Sequence, residues 1–153
     1  ELNLVAKPLV ETPVGIYSTK QYINTFGRPK VPNDLLTHNC IGPFEHPWPF
    51  RQKGEALFFI KPSGNLRVNG DDFIKTMVMS DLAIGCAYPR LFDEEIKSGQ
   101  VVSLLEDYLD VLVQLLVLYP QSFYMPYKVK AFIEALKNFY DQEQTFIAGL
   151  HEK

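Results

Sequence analysis

A chain of 153 residues with 46% hydrophobic and 22% charged residues suits a globular domain with a real core, alone or with a small piece of a second. The formal net charge is −3 and the basic residues form nothing beyond pairs such as Arg28/Lys30 and Lys128/Lys130, which speaks against direct nucleic-acid contact by this segment. Two cysteines give no disulfide framework and no CxxC spacing, and no apolar run approaches the ~18 residues of a membrane helix, since the longest, Val111 to Tyr119, is interrupted by Gln114.

The chain opens with alternating Leu2, Leu4 and Ala6, which predicts a strand over residues 2 to 7, and Val14 to Tyr17 predicts a second. A Ser18 or Thr19 hydroxyl then caps a short helix over Lys20 to Phe26. Gly27 stops it and Pro29 keeps it from resuming. Pro32-Asn33-Asp34 starts another short helix, with Leu35 and Leu36 as its buried side. Asn39 to Gly42 is a brief strand, residues 47 to 60 a hairpin with turn chemistry at Gln52 to Glu55, and Leu66 to Val68 a further strand after the Pro62 to Asn65 turn.

The second half alternates more plainly. Asp71 to Ser80 is helical, with Phe73, Ile74, Met77 and Val78 on one face. Leu82 to Ala87 is a buried strand, Arg90 to Lys97 a helix ended by Gly99, and Val101 to Leu104 and Leu112 to Tyr119 are strands. Pro126 to Tyr140 is a strong helix, in which Val129, Phe132, Ile133, Leu136, Phe139 and Tyr140 form one stripe. Helices alternating with buried strands define an α/β fold.

Several pieces in order carry a family resemblance. They are Ile16-Tyr17-Ser18-Thr19 with Tyr22, Gly27-Arg28-Pro29, Pro32-Asn33-Asp34-Leu35, and His38-Asn39-Cys40-Ile41. After them come the Trp48-Pro49-Phe50 hairpin, Ser63 to Asn69, Gly70-Asp71-Asp72, Pro89 with Gly99-Gln100-Val101-Val102, Leu115 to Pro120, and Lys128 to Ile133. Together they resemble the effector-binding domain of LysR-type transcriptional regulators over nearly the whole chain. Where that family usually carries a Gly-Leu-Gly-Ile-type turn after the central helix, Asp81 and Ala83 stand here in place of the glycines.

The resemblance implies the second subdomain of a periplasmic-binding-protein-like, two-lobed α/β fold, over residues 14 to 116. Residues 1 to 13 and 117 to 153 would then be crossing strands and a remnant of the first subdomain with the C-terminal helix. It also implies a segment of a longer cytoplasmic protein, which the start at Glu1 without an initiator Met fits. In such a protein a small-molecule effector binds in the cleft between subdomains and controls transcription. DNA is reached only through an N-terminal winged helix-turn-helix absent from this sequence. The fragment would hold one wall of the cleft and bind effector weakly or not at all, would assemble into a homo-oligomer, and would not touch membrane. Its apolar final helix would pack on another copy or fold back on the second subdomain.

The expected effector contacts are Ser18, Thr19, Asn69, Gly70, Asp71, Tyr88 and Pro89. Helix starts present free amides and a positive dipole end, which suits ligand oxygens. Each residue also has an ordinary structural reading: Ser18-Thr19 as a cap, Asp71 and Asp72 as first-turn charges balancing the dipole. His38 with Cys40 lacks a third nearby ligand for a metal. No phosphate loop, nucleophile elbow or HExxH is present, so no cofactor, metal or catalytic residue is expected. Cys40 and Cys86 are expected as reduced, buried thiols. A periplasmic-type solute-binding protein is the alternative reading.

Overall fold

The computed structural model describes residues 3–42, 47–66, 68, 70–121 and 125–151, the last eleven as backbone only. They fall into two compact units, Pro13–Leu112 and, from the two ends of the chain, Glu1–Thr12 with Val113–Lys153.

The larger unit is built on a four-stranded sheet. Strands β2 (Gly15–Thr19), β3 (Cys40–Ile41), β6 (Ile84–Ala87) and β7 (Val101–Leu104) lie in the order β3-β6-β2-β7. β2 runs antiparallel to both neighbours, with Ile16 opposite Cys86 on one side and Leu104 on the other, whereas β3 and β6 are parallel. All five residues of β2 and all four of β6 are buried, as expected for strands covered on both faces. A separate hairpin, β4 (Trp48–Phe50) with β5 (Phe58–Ile60), joins the unit through Phe50, which is fully buried. The expected Leu66–Val68 strand includes Arg67 and lies partly outside the described residues.

Two helices carry the local signals read above. α1 (Lys20–Phe26) is capped by Thr19, whose hydroxyl accepts the Tyr22 amide at 3.2 Å, and ends at Gly27 with φ 88°. α2 (Asp71–Met79) packs Ile74 and Val78 against Gly85, where a Cβ would lie 2.7 Å from Val78 and 3.1 Å from Ile74. The segment expected as one helix from Arg90 instead begins with a 3-10 turn, Pro89–Phe92, before α3 (Asp93–Lys97). Lys75 reaches Glu95 at 2.7 Å and ties α2 to α3. Two apolar clusters fill the two sides of the sheet. Ile16, Leu35, Trp48, Phe50, Ile84 and Leu104 belong to one; Tyr17, Ile41, Ile74, Val78, Phe92 and Val101 belong to the other. Trp48 thus belongs to the core.

The smaller unit consists of β1 (Leu4–Pro13), β8 (Leu112–Pro120, whose first residue closes the larger unit) and α4 (Tyr127–His151). β1 and β8 form a two-stranded sheet. Gln121 donates its amide to Asn3 O at 2.8 Å, and Gln114 reaches Glu11 at 2.9 Å, which makes the pair antiparallel. Exposure alternates strictly along β8 but breaks phase in β1 at Leu9 and Val10, both half-buried, as one inserted residue in a bulge produces. The stripe expected on the last helix divides: Ile133 is buried, while Phe132 is 63% and Phe139 49% exposed.

Candidate functional site

β6 sets where the candidate residues fall. Its partner β2 runs the other way, with Gly15 opposite Ala87 and Tyr17 opposite Gly85. Tyr88 and Pro89 follow the C-terminal end of β6. α2 leads through a tight turn into the start of β6 and packs along it, so its N-terminal end, Gly70 and Asp71, lies toward that same end. Ser18 and Thr19 close β2 at the opposite end, beside the turn that precedes β6. The structure thus brings Gly70, Asp71, Tyr88 and Pro89 to one end of the sheet and sets Ser18 and Thr19 at the other. Asn69 lies outside the described residues.

The two groups also differ in what their polar atoms do. Ser18 is fully buried and donates to Ala83 O at 3.3 Å. Thr19 is buried, accepts the Tyr22 amide as the cap of α1, and donates its hydroxyl hydrogen to Asp81 Oδ1. Asp81 has φ 61°, the left-handed region that glycine enters freely and most side chains avoid at a cost of roughly 1–2 kcal/mol. The backbone here keeps the shape a glycine turn would have, and Asp81 adopts it with its carboxylate engaged by Thr19. Both hydroxyls are used internally, Thr19 as the cap of α1 and Ser18 as a donor across to the segment before β6. Gly70, by contrast, is exposed, has no side chain, and its extended backbone caps α2 without a side-chain bond. An added Cβ at Gly70 would meet nothing within 4 Å. Asp71 and Asp72 are exposed in the first turn of α2, where they balance the positive helix end. Tyr88 is 37% exposed and caps the Pro89–Phe92 turn.

A second polar cluster joins α1, through Tyr22, to His38 and Asn39. Tyr22 accepts the Asn39 amide at 3.1 Å, and its hydroxyl is hydrogen-bonded to His38 Nδ1 at 3.3 Å. Burial lowers the His38 pKa, against the attraction of Asp34. Among the described residues, no three His, Cys, Asp or Glu side chains lie together as a metal site requires. Cys40 and Cys86 are free and buried, and burial pushes both thiols up to about 12, far from the reactive thiolate range.

The His38 shift has a measurable consequence. The unfolded ring, near pKa 6.5, binds protons more readily than the folded one. Stability is therefore full above that value and is lost as pH falls through it toward the folded pKa, by at most ~1.4 kcal/mol per pH unit for one group. Urea midpoints should fall between about pH 7 and pH 5, and His38→Gln should flatten that slope. An equal slope in both proteins would assign the acid loss to other groups.

In α/β sheets, the helix start beside the C-terminal end of a strand, as α2 stands to β6 here, is where small molecules commonly bind. The LysR substrate binding domain model matches residues 1–141. This chain belongs to that family. It is 25% identical over 142 residues to an uncharacterized HTH-type transcriptional regulator, YcaN of Escherichia coli K12, covering 88% of this chain and 47% of that protein. It is 27% identical over 141 residues to a probable HTH-type transcriptional regulator, LtrA of Klebsiella pneumoniae, covering 88% and 45%. The fold is similar to the regulatory domain of CrgA, a LysR-type transcriptional regulator from Neisseria meningitidis, with a TM-score of 0.67 at 20% identity over 88% of this chain and 68% of that one. The chain spans about half the length of both curated relatives. These matches favour a regulator's effector-binding domain over a periplasmic solute-binding protein. Among the described residues, no helix is long and apolar enough to cross a membrane.

Proposed function

We propose that this chain senses a small molecule for a cytoplasmic LysR-type transcriptional regulator, without catalysis or cofactor, and that DNA is contacted only by a segment outside this sequence. We place the effector rim at Gly70, Asp71, Tyr88 and Pro89, and we include Asn69 on its sequence alone. The observation that carries this is the meeting of the β6 C-terminal end with the exposed, side-chain-free start of α2. The backbone amides there suit a hydrogen-bond acceptor. Asp71 and Asp72 oppose a simple anion, so the ligand pairs its acceptor with a neutral or cationic group. Such a ligand controls transcription only if it binds two poses of the regulator with different affinity. The chain assembles with further copies of itself.

An NMR titration with pools of small amino acids, amines and organic acids tests the reading. Shifts should be confined to the Gly70, Asp71 and Tyr88 amides and should not saturate at micromolar ligand, because this chain holds only part of the site. Shifts centred on Ser18 and Thr19 would move the site to the other end of the sheet. A stoichiometric micromolar complex would show a complete site within these residues.

A further inference from the structure

Tyr17 is 4% exposed, yet its hydroxyl has nothing to bond. The ring lies back along β2 over Gly15, where an added Cβ would collide with the hydroxyl oxygen and the carbon that bears it. Only glycine leaves that space. The ring also packs on Phe92, with 5.1 Å between centroids. The hydroxyl is thereby held at the N-terminal end of β2, where Gly15 stands opposite Ala87, the last residue of β6. Tyr88 and Pro89 leave β6 at that same end. Among the described residues no hydrogen bond reaches the Tyr17 hydroxyl. Buried hydroxyls are nearly always bonded, and Tyr22, just as deeply buried, is bonded to both His38 and the Asn39 amide. The fully enclosed side-chain polar atom that lacks a partner among the described residues is Glu95 Oε2, so the Tyr17 oxygen keeps an opening to solvent.

The charges around this oxygen are acidic. Glu106 follows β7 at the same end of the sheet, since Leu104 stands opposite Ile16, and Asp93 opens α3 directly after Phe92. Both carboxylates are exposed, and both act electrostatically on the Tyr17 hydroxyl. Burial first, and then Cys86, Asp93 and Glu106, keep the phenol protonated well above neutral pH. A neutral phenol oxygen accepts a hydrogen bond. A ligand carboxylate or phosphate here would meet like charge, whereas an ammonium group would find an acceptor and two balancing charges.

We infer that the effector carries an ammonium group, which donates a hydrogen bond to the Tyr17 oxygen while Asp93 and Glu106 balance its charge. This rests on the effector reading above and narrows the neutral or cationic group named there to a cation. The acidic pair alone would not carry it; the buried, unpartnered hydroxyl aimed at that end of the sheet does. Tyr17, Gly15, Phe92, Asp93 and Glu106 all belong to the larger unit.

Three probes of one size, n-butylamine, butyramide and n-butyrate, test it by NMR on the whole chain at neutral pH. Butylammonium should shift the Tyr17 ring signals and the Gly15 amide; butyramide and butyrate should not. Tyr17→Phe should weaken butylammonium by at least about tenfold, as loss of a hydrogen bond to a charged group does. Asp93→Asn and Glu106→Gln should each weaken it too. Tyr17→Phe should leave the urea midpoint unchanged, because no internal bond is lost. A lowered midpoint would make the hydroxyl a structural one and overturn the ammonium site. Equal affinity of Tyr17→Phe and the natural chain for butylammonium, or ring shifts as large with butyramide, would overturn it as well. If butyramide or butyrate moves the Gly70 and Tyr88 amides while the Tyr17 ring stays still, the effector rim stands and the ammonium site falls. If no probe moves rim or ring, both fall.

Discussion

Phe92→Ala should lower unfolding stability by about 3–5 kcal/mol, the usual cost of emptying a fully buried aromatic site. Phe92 has no exposed surface and packs its ring 5.1 Å from that of Tyr17, tilted by 43°. It shares a cluster with Ile41, Ile74, Val78, Ala87 and Val101, drawn from both faces of the β6–α2 packing. Domains of this size are stable by roughly 5–15 kcal/mol, so the loss would consume much of the total. Phe92 also ends the turn that starts at Tyr88-Pro89, so the proposed effector rim should loosen with it. Urea unfolding followed by circular dichroism gives the number, and Phe92→Leu should recover most of it. A change below about 1 kcal/mol would mean that the cavity collapses without cost and that Phe92 does not anchor the turn.

Gly64→Ala should be nearly as damaging, although Gly64 is on the surface. An added Cβ would lie 2.1 Å from the backbone oxygen of Cys40. That oxygen cannot retreat as a flexible side chain would. Cys40 is held from both sides, its amide donating to Ser63 O at 2.8 Å and its strand paired with β6 at Ile84. Overpacking of this kind costs about 1–3 kcal/mol, and more where the obstacle is backbone. Gly70→Ala is the matched control, since its Cβ meets open space; only a small capping loss is expected. Equal unfolding midpoints for the two variants would show that the segment carrying Gly64 shifts freely over β3.

Where order was legible in advance, the signals were local. Thr19 before a seven-residue helix, Gly27 after it, Pro32 opening a short turn, and Gly99 after Lys97 all act through their own backbone or their nearest neighbours. The order of these pieces carried the family, which the match over residues 1–141 supports. β1 and α4 run further than expected, to Pro13 and His151. Pro8 did not end β1, because among the described residues β1 pairs with β8 alone and proline is tolerated in an edge strand. α4 continued because nothing after Tyr140 supplies a proline or an early glycine to stop it.

The candidate site was legible as residue types but not as a place. Ser18-Thr19 and Gly70-Asp71 look alike in sequence, since each pairs small or polar residues with a helix start. What separates them is the antiparallel run of β2 against β6, a long-range pairing that no local pattern encodes. The same distant contact explains Asp81: only the fold shows its left-handed backbone and the Thr19 hydroxyl that engages it. Composition and short-range pattern, by themselves, determined the α/β class and the limits of α1 and α2, because caps, turns and periodicity are set by residues a few positions apart. Tertiary structure decided which ends of strands meet and which hydroxyls are consumed internally. Those depend on strand direction and pairing between residues far apart in the chain.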